Sequence, residues 1–220
     1  MATILITGAN RGIGLELTRQ LIARGDHVVA TCRTSSPALE ATGARLEAGI
    51  DVSSEANVAQ LASRLGELTI DTLILNAGVL SVESLEEMDF ERVRHQLEVN
   101  AIGALRVVLA LRPRLVRGSK IALLTSRMGS IADNTSGGFY GYRMSKAALN
   151  AAGVSLARDL APEGIAVILL HPGFVRTEMT GGNGEIEPAQ AAERLIARID
   201  ELEMSSTGTF RHANGEALRW

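Results

Sequence analysis

Cysteine, aromatic residues and basic charge are all scarce in this chain of 220 residues. The one cysteine, Cys32, has no intrachain partner for a disulfide, and no Cys/His spacing resembles a zinc site. Both facts point to a reducing compartment and to no bound metal. Seven aromatics leave little for base-stacking platforms, and a formal net charge of −3 supplies no cationic field for a phosphate backbone. Nucleic acid is therefore not expected as a partner. No apolar run approaches the ~20 residues that cross a bilayer. The opening Met1-Ala2-Thr3-Ile4-Leu5-Ile6-Thr7 also lacks the basic start and long apolar stretch of a secretory signal. A cytoplasmic protein with no membrane partner is expected.

Apolar residues and glycine are plentiful. At 46% hydrophobic the chain can build one sizeable core, so a single domain over residues 1–220 is expected. Short apolar runs suited to strands recur at Thr3–Thr7, His27–Cys32, Arg45–Ile50, Asp71–Asn76, Lys120–Ser126 and Ile165–His171, with a weaker one at Thr207–Arg211. Between them lie stretches of helical period: Gly12–Arg24, Glu55–Leu68, Leu85–Val116, Tyr140–Ala161 and Pro188–Leu202. The third is unusually long and is expected to bend near Gly103, with the Arg112–Arg117 cluster at its end. Alternation of this kind predicts an α/β fold, a Rossmann-like doubly wound parallel sheet of about seven strands with helices on both faces. Two segments rich in Gly, Ser, Thr and Asn, 128–138 and 176–187, follow strands, where the active-site loops of such sheets lie.

The first strand runs through Thr7-Gly8-Ala9-Asn10-Arg11-Gly12-Ile13-Gly14 directly into a helical pattern. Glycines there let the chain turn tightly and let a pyrophosphate approach the amides at the positive end of a helix. Their spacing, Gly-x-x-x-Gly-x-Gly, resembles the opening of the short-chain dehydrogenase/reductase family in its compact branch. Further matches follow in order: Asp51-Val52, Asn76-Ala77-Gly78, Asn100, Ser126, Tyr142-x-x-x-Lys146 and Pro172-Gly173-Phe174-Val175-Arg176-Thr177. Within that branch, residues 134–150 and the ending Gly-Glu-Ala-Leu-Arg-Trp are similar to carbonyl reductases of the C-factor and sniffer type.

The resemblance implies a nicotinamide cofactor held by Thr7, Gly8, Asn10, Arg11, Gly12, Ile13 and Gly14. Asp51 and Val52 would hold the adenine, Asn76, Ala77 and Gly78 the riboses, and Pro172, Gly173, Val175 and Thr177 the nicotinamide. An alternative for Asp51 is a helix cap. Where dinucleotide folds carry an acid for the ribose 2′-OH, this chain has Cys32 followed by Arg33. Arg33 and Arg11 could therefore bind a 2′-phosphate, so NADP(H) is expected over NAD(H).

Reducing a carbonyl puts negative charge on its oxygen, which calls for a hydrogen-bond donor and an acid. The i, i+4 spacing of Tyr142 and Lys146 puts both on one helix face, where an ammonium is expected to lower the tyrosine pKa. The family roles implied are Tyr142 as general acid and base and Lys146 as its partner on the nicotinamide ribose. Ser126 would orient the substrate carbonyl, and Asn100 a water. Ser130 stands closer to Tyr142 in sequence, but Ser126 ends a strand as the family serine does. Tyr140 has Met144 where a lysine would be needed. Met128, Phe139, Phe174 and Met179 are candidates for an apolar substrate pocket receiving a small carbonyl or alcohol. His27, His95, His171 and His212 show no ligand spacing and read as structural. The family further implies a homodimer or homotetramer, with a monomer open. A second functional reading stays open as well: a C-factor-like signalling or scaffold protein that binds NADP(H) without significant turnover.

Overall fold

The structure, a computed structural model, describes residues Met1–Trp220. The strands are β1 (Thr3–Thr7), β2 (His27–Cys32), β3 (Arg45–Ala48), β4 (Ile70–Leu75), β5 (Leu115–Leu124), β6 (Ala166–His171) and β7 (Thr209–His212). Seven α-helices connect them: α1 (Gly12–Ala23), α2 (Pro37–Glu40), α3 (Glu55–Leu65), α4 (Phe90–Leu97), α5 (Gly103–Leu111), α6 (Tyr140–Leu160) and α7 (Pro188–Asp200).

All neighbouring strands pair in parallel, in the order β3-β2-β1-β4-β5-β6-β7. Side chains alternate across the sheet, so each strand feeds two cores. Leu5, Leu73, Leu123 and Leu169 join the apolar faces of α3, α5 and α6, while Ile4, Ile6, Ile74, Ala122 and Ile168 join those of α1 and α7. Burial on both sides explains why the strands read as continuous apolar runs. Leu5 is fully buried, and truncating such a side chain to alanine costs about 2–5 kcal/mol.

Connections leave β1 toward β2 on one side and pass to β4 on the other. The crevice outside the carboxyl ends of β1 and β4 is thus the switch point at which such sheets bind ligands.

The expected helix over Leu85–Val116 is corrected. It comprises α4, a π-helical turn at Glu98–Ile102, α5, and a 3-10 turn at Arg112–Arg114, after which Leu115 opens β5. Asp89 caps α4, its Oδ1 accepting from the Glu91 and Arg92 amides at 2.9 and 3.1 Å, so the helix begins there instead of at Leu85. The π turn ends just before Gly103, whose missing side chain lets Val52 pack close: a Cβ would lie 2.9 Å from Val52 Cγ2. Pro113 ends the helical ladder by removing a donor, and Leu115 then pairs with Ile70 across a register shift that lengthens β5. Other boundaries move as well, and β5 ends at Leu124, two residues short of the expected Ser126. β3 stops at Ala48 because Gly49 takes φ 80°, and α3 stops at Leu65 because Gly66 takes φ 60°.

Candidate functional site

At the carboxyl end of β1, Gly8 and Gly12 adopt φ 67° and 53°, conformations disfavoured for residues with a Cβ. Gly14 is required for a different reason, since a Cβ there would lie 2.3 Å from the Gly8 carbonyl oxygen and 2.5 Å from Asn76 Nδ2. Arg11 precedes α1 in extended conformation with no side-chain cap, so the first amides of the helix are free to meet an anion. Thr7 and Asn76 stitch this turn to β4. Thr7 Oγ1 accepts from the amides of Asn76 and Ala77, both at 3.1 Å, and Asn76 Nδ2 donates to the carbonyls of Thr7 and Gly8 at 3.0 and 2.9 Å. Asn76 thus uses its amide donors to shape the turn. Thr177 approaches from the opposite loop, its Cγ2 3.4 Å from where a Gly12 Cβ would stand.

Cys32 is buried, and burial pushes its thiol pKa up. Arg33 beside it points outward with its guanidinium 4.0 Å from Asp51. Arg11 pairs with Glu178 of the 176–187 loop. Burial alone would raise the Asp51 pKa, but hydrogen bonds from Ser53, together with Arg33, bring it below the ordinary value. The cap of α3 is Ser54, not Asp51.

The second half of the site lies outside β5 and along α6. Ser126 follows β5 by two residues, its Oγ accepting from the Met128 amide at 3.1 Å and thereby starting a 3-10 turn at Arg127–Gly129. That turn lies directly on α6, because a Cβ on Gly129 would meet the Lys146 backbone at 2.7 Å. Tyr142, Lys146 and Ser126 are all buried. Ser130 instead receives the Asp133 amide at 3.1 Å within its own loop. Lys146 Nζ donates to the Leu124 carbonyl at 2.8 Å and stands 5.7 Å from the centre of the Tyr142 ring.

Burial lowers the Lys146 pKa to about 8. For Tyr142 the expected lowering is corrected: burial raises the phenol to about 12, with the Ser126 hydroxyl pulling the other way. Desolvation of a phenolate at this buried place outweighs the Ser126 hydrogen bond.

Asn100 sits in the π turn. Its Oδ1 accepts from the Val79 amide, and its Nδ2 donates to the Val79 carbonyl and Ser145 Oγ, at 2.8, 2.8 and 2.9 Å. Gly78 brings this group near the lysine, with Asn100 Oδ1 and Lys146 Nζ 3.2 and 3.7 Å from its virtual Cβ.

Of the apolar candidates, Met128 and Phe139 are half-buried at the two ends of the 128–138 loop, and Phe174 and Met179 are exposed. Arg143, between Tyr142 and Met144 on α6, holds that loop by donating to Gly138 O and Ser136 Oγ at 3.2 and 2.9 Å. Sequence spacing gave no sign of Arg143, nor of Thr125 and Asn150, whose buried 2.6 Å hydrogen bond backs the lysine. His171 is pressed against His212 at 4.9 Å between ring centres. Burial, with His212, Arg127 and Lys146, lowers its pKa to about 3, so it stays neutral beside the site. No cluster of three or more His, Cys, Asp or Glu side chains is arranged to hold a metal ion, and no helix is long and apolar enough to cross a membrane.

The family described as short chain dehydrogenase matches residues 2–187. Among characterised relatives, the 1-hydroxy-2-glutathionyl-2-methyl-3-butene dehydrogenase of a Rhodococcus species is 42% identical over the full length of both chains. The C-signal of Myxococcus xanthus is 42% identical over 154 residues, which cover 69% of this chain and 93% of that protein. Among solved structures, the carbonyl reductase Sniffer of D. melanogaster superposes with a TM-score of 0.92 at 29% identity, covering 100% of both chains. The NADPH-bound carbonyl reductase from chicken fatty liver does so at 0.91 and 26% identity, covering 100% of this chain and 99% of that one.

Proposed function

The chain belongs to the short-chain dehydrogenase family of oxidoreductases, and we propose that within it the protein is an NADPH-dependent carbonyl reductase with Tyr142 as its general acid. The observation that carries the reading is the joint burial of Ser126, Tyr142 and Lys146, on elements that end at the carboxyl edge of the sheet, where ligands of this fold bind.

The residues of the crevice suit a dinucleotide. Gly8, Gly12 and Gly14 leave a turn that side chains would fill, and the uncapped start of α1 offers amides to a pyrophosphate. Arg11 and Arg33, both largely exposed, face no stronger partner than a surface carboxylate, so each is available to a 2′-phosphate dianion. This favours NADP(H) over NAD(H), as does the NADPH in the chicken enzyme. When bound, the reduced nicotinamide supplies a hydride to the carbonyl carbon.

The protein's part is to manage the oxygen. Ser126 donates a hydrogen bond to the carbonyl oxygen and orients it. Tyr142, held neutral by a pKa near 12, has its proton available for the alkoxide as it forms. The ammonium of Lys146 stabilises the phenolate left behind, and Asn100, through Val79 and Ser145, holds the segment on which that lysine rests. Asp51 and Val52 would take the adenine, Asn76, Ala77 and Gly78 the riboses, and Pro172, Gly173, Val175 and Thr177 the nicotinamide side. Met128, Phe139, Phe174 and Met179 would receive an uncharged, fairly apolar aldehyde or ketone.

Consumption of NADPH with a panel of aldehydes, ketones and quinones tests the reading. Tyr142→Phe should keep NADPH binding and lose about 10²-fold or more in turnover. Near-normal turnover in that variant refutes the role of Tyr142, and complete inertness of the wild type across the panel favours dinucleotide binding without turnover.

A further inference from the structure

Glu83 lies in the irregular segment between β4 and α4 and is 1% exposed. Its Oε1 accepts from Ser81 Oγ at 2.6 Å and from Gln96 Nε2 at 2.8 Å, and its Oε2 accepts from the backbone amide of Gly141 at 3.1 Å. Gln96 Nε2 and the Gly141 amide can only donate, one to each oxygen, so both oxygens of the side chain act as acceptors, while the Ser81 hydroxyl can rotate to suit. A carboxyl group meets that demand, whereas an amide would set its own N–H against one of those two donors. The start of α6 supplies the compensating positive potential.

The same residue acts through its backbone. Its carbonyl accepts from the Phe139 amide at 2.9 Å. Phe139 is the only non-glycine residue with positive φ, at 52°, and it offers α6 no side-chain cap. A left-handed residue of this kind costs about 1–2 kcal/mol and persists only when its surroundings hold it. Glu83 therefore grips α6 on both sides of its first residue. The fit is close: a Cβ on Gly141 would collide with Gln96 Nε2 at 2.3 Å, and Gln96 Oε1 in turn receives the Ser81 amide at 3.0 Å.

Tyr142 is the residue after Gly141. We propose that Glu83 is a positioning residue for Tyr142, its buried carboxylate fixing the start of α6 and hence the place of the phenol relative to Ser126. This rests on the reading of Tyr142 as the acid. Gln96 completes the device by supplying one donor to the carboxylate and one acceptor to the strap that carries it.

Exchanging the two side chains tests the proposal. Glu83→Gln puts an amide N–H against donors, so kcat should fall about tenfold or more, the scale of a small misplacement of a reacting group. KM for NADPH should stay within about twofold, because the glycine turn is untouched. In Glu83→Gln/Gln96→Glu the carboxylate moves to position 96, residue 83 keeps an oxygen for the Gly141 amide, and kcat should return to within about threefold of wild type. Deuterium exchange over residues 139–142 should speed up in the single variant and slow again in the double. That readout needs no turnover.

Wild-type kcat in Glu83→Gln, unchanged exchange, or a double variant that folds, binds NADPH and stays slow would each overturn the proposal. Should Glu83→Gln fail to fold, Glu83→Asp withdraws the carboxylate by one methylene while keeping it an acceptor, and the same split between kcat and KM is expected. A wild type inert toward every carbonyl overturns the functional reading instead, and exchange alone then decides whether Glu83 anchors α6.

Discussion

Lys120 and Lys146 are the only lysines in the sequence, and they lie toward opposite ends of the sheet. Toward the amino end, Lys120 donates to the carbonyls of Ile199 and Asp200, both at 2.8 Å, closing the last turn of α7. A cavity of about 210 Å³ there is lined by Arg24, Asp71 and Asp200 as well, and Arg24 pairs with both Asp26 and Asp200. Charges at this end come with opposite charges. Burial lowers the Lys120 pKa, but Asp200 and Glu203 oppose the shift. At the carboxyl end, Lys146 has one carbonyl partner, and burial alone takes it to about 8. A buried ammonium with no counter-charge is costly, and a fold tolerates it where an anion is to be received or created.

The contrast can be broken most directly by removing each lysine. Lys146→Met should lower turnover by about 10²-fold or more while Lys120→Met leaves it within about twofold; steady-state NADPH oxidation by the two variants checks this. Equal losses would mean that the lysines differ only in position. Serine offers the next distinction. Ser126→Ala should cost roughly 10–10²-fold in kcat as a lost hydrogen bond to the reacting oxygen, and Ser130→Ala should cost little, since its hydroxyl serves the Asp133 amide. A reversal of that order would move the substrate-orienting role to Ser130.

Arg33→Asp carries the comparison to the cofactor's other end. KM for NADPH should rise about tenfold, with preference moving toward NADH, on the scale of one charge-assisted contact. A preference for NADH already present in the wild type and untouched by the variant would reject the 2′-phosphate reading. Stability gives a separate test. Lys146 titrates near 8 folded and 10.5 unfolded, so between those values the unfolded chain binds more protons and stability rises with pH. Below pH 8 the penalty is fully present, on the order of 3 kcal/mol at ~1.4 kcal/mol per pH unit. Tyr142, raised from 10.0 to about 12, has the opposite slope and loses stability across that interval. Urea unfolding near pH 8 and pH 10 should show the rise in the wild type and a flatter line in Lys146→Met.

Legibility in the sequence followed the range of the interactions. Strands covered on both faces announce themselves as apolar runs, and Tyr142 with Lys146 is a local spacing on one helix. The place of Ser126 just beyond a strand was legible from the apolar run Ile121-Ala122-Leu123-Leu124, although β5 ends two residues before it. The direction of the tyrosine shift was not, because spacing gives the distance to a charge but not the water removed from the phenol. Glu83 was equally hidden, since it contacts Gly141 across 58 positions, and a glutamate in a polar loop looks like any solvated one. The break in the long helix was half visible. Gly103 marks the bend and the Arg112–Arg117 cluster the end of the segment, while the wide turn at Glu98–Ile102 packs against Val52 and Val79 in contacts that no local pattern records.

That wide turn is also a phase shift. A π turn holds one residue more than an α turn, so it offsets the angular position of everything after it by roughly 100°, the step of one helical residue. Deleting a single residue between Glu98 and Ile102 could leave a smoother helix, yet rotate either Gln96 and the Glu83 strap or the apolar face of α5 out of register. The irregularity thus works as a gear between two ends of one helical segment, letting α5 keep its core face while Asn100 and Gln96 face the site.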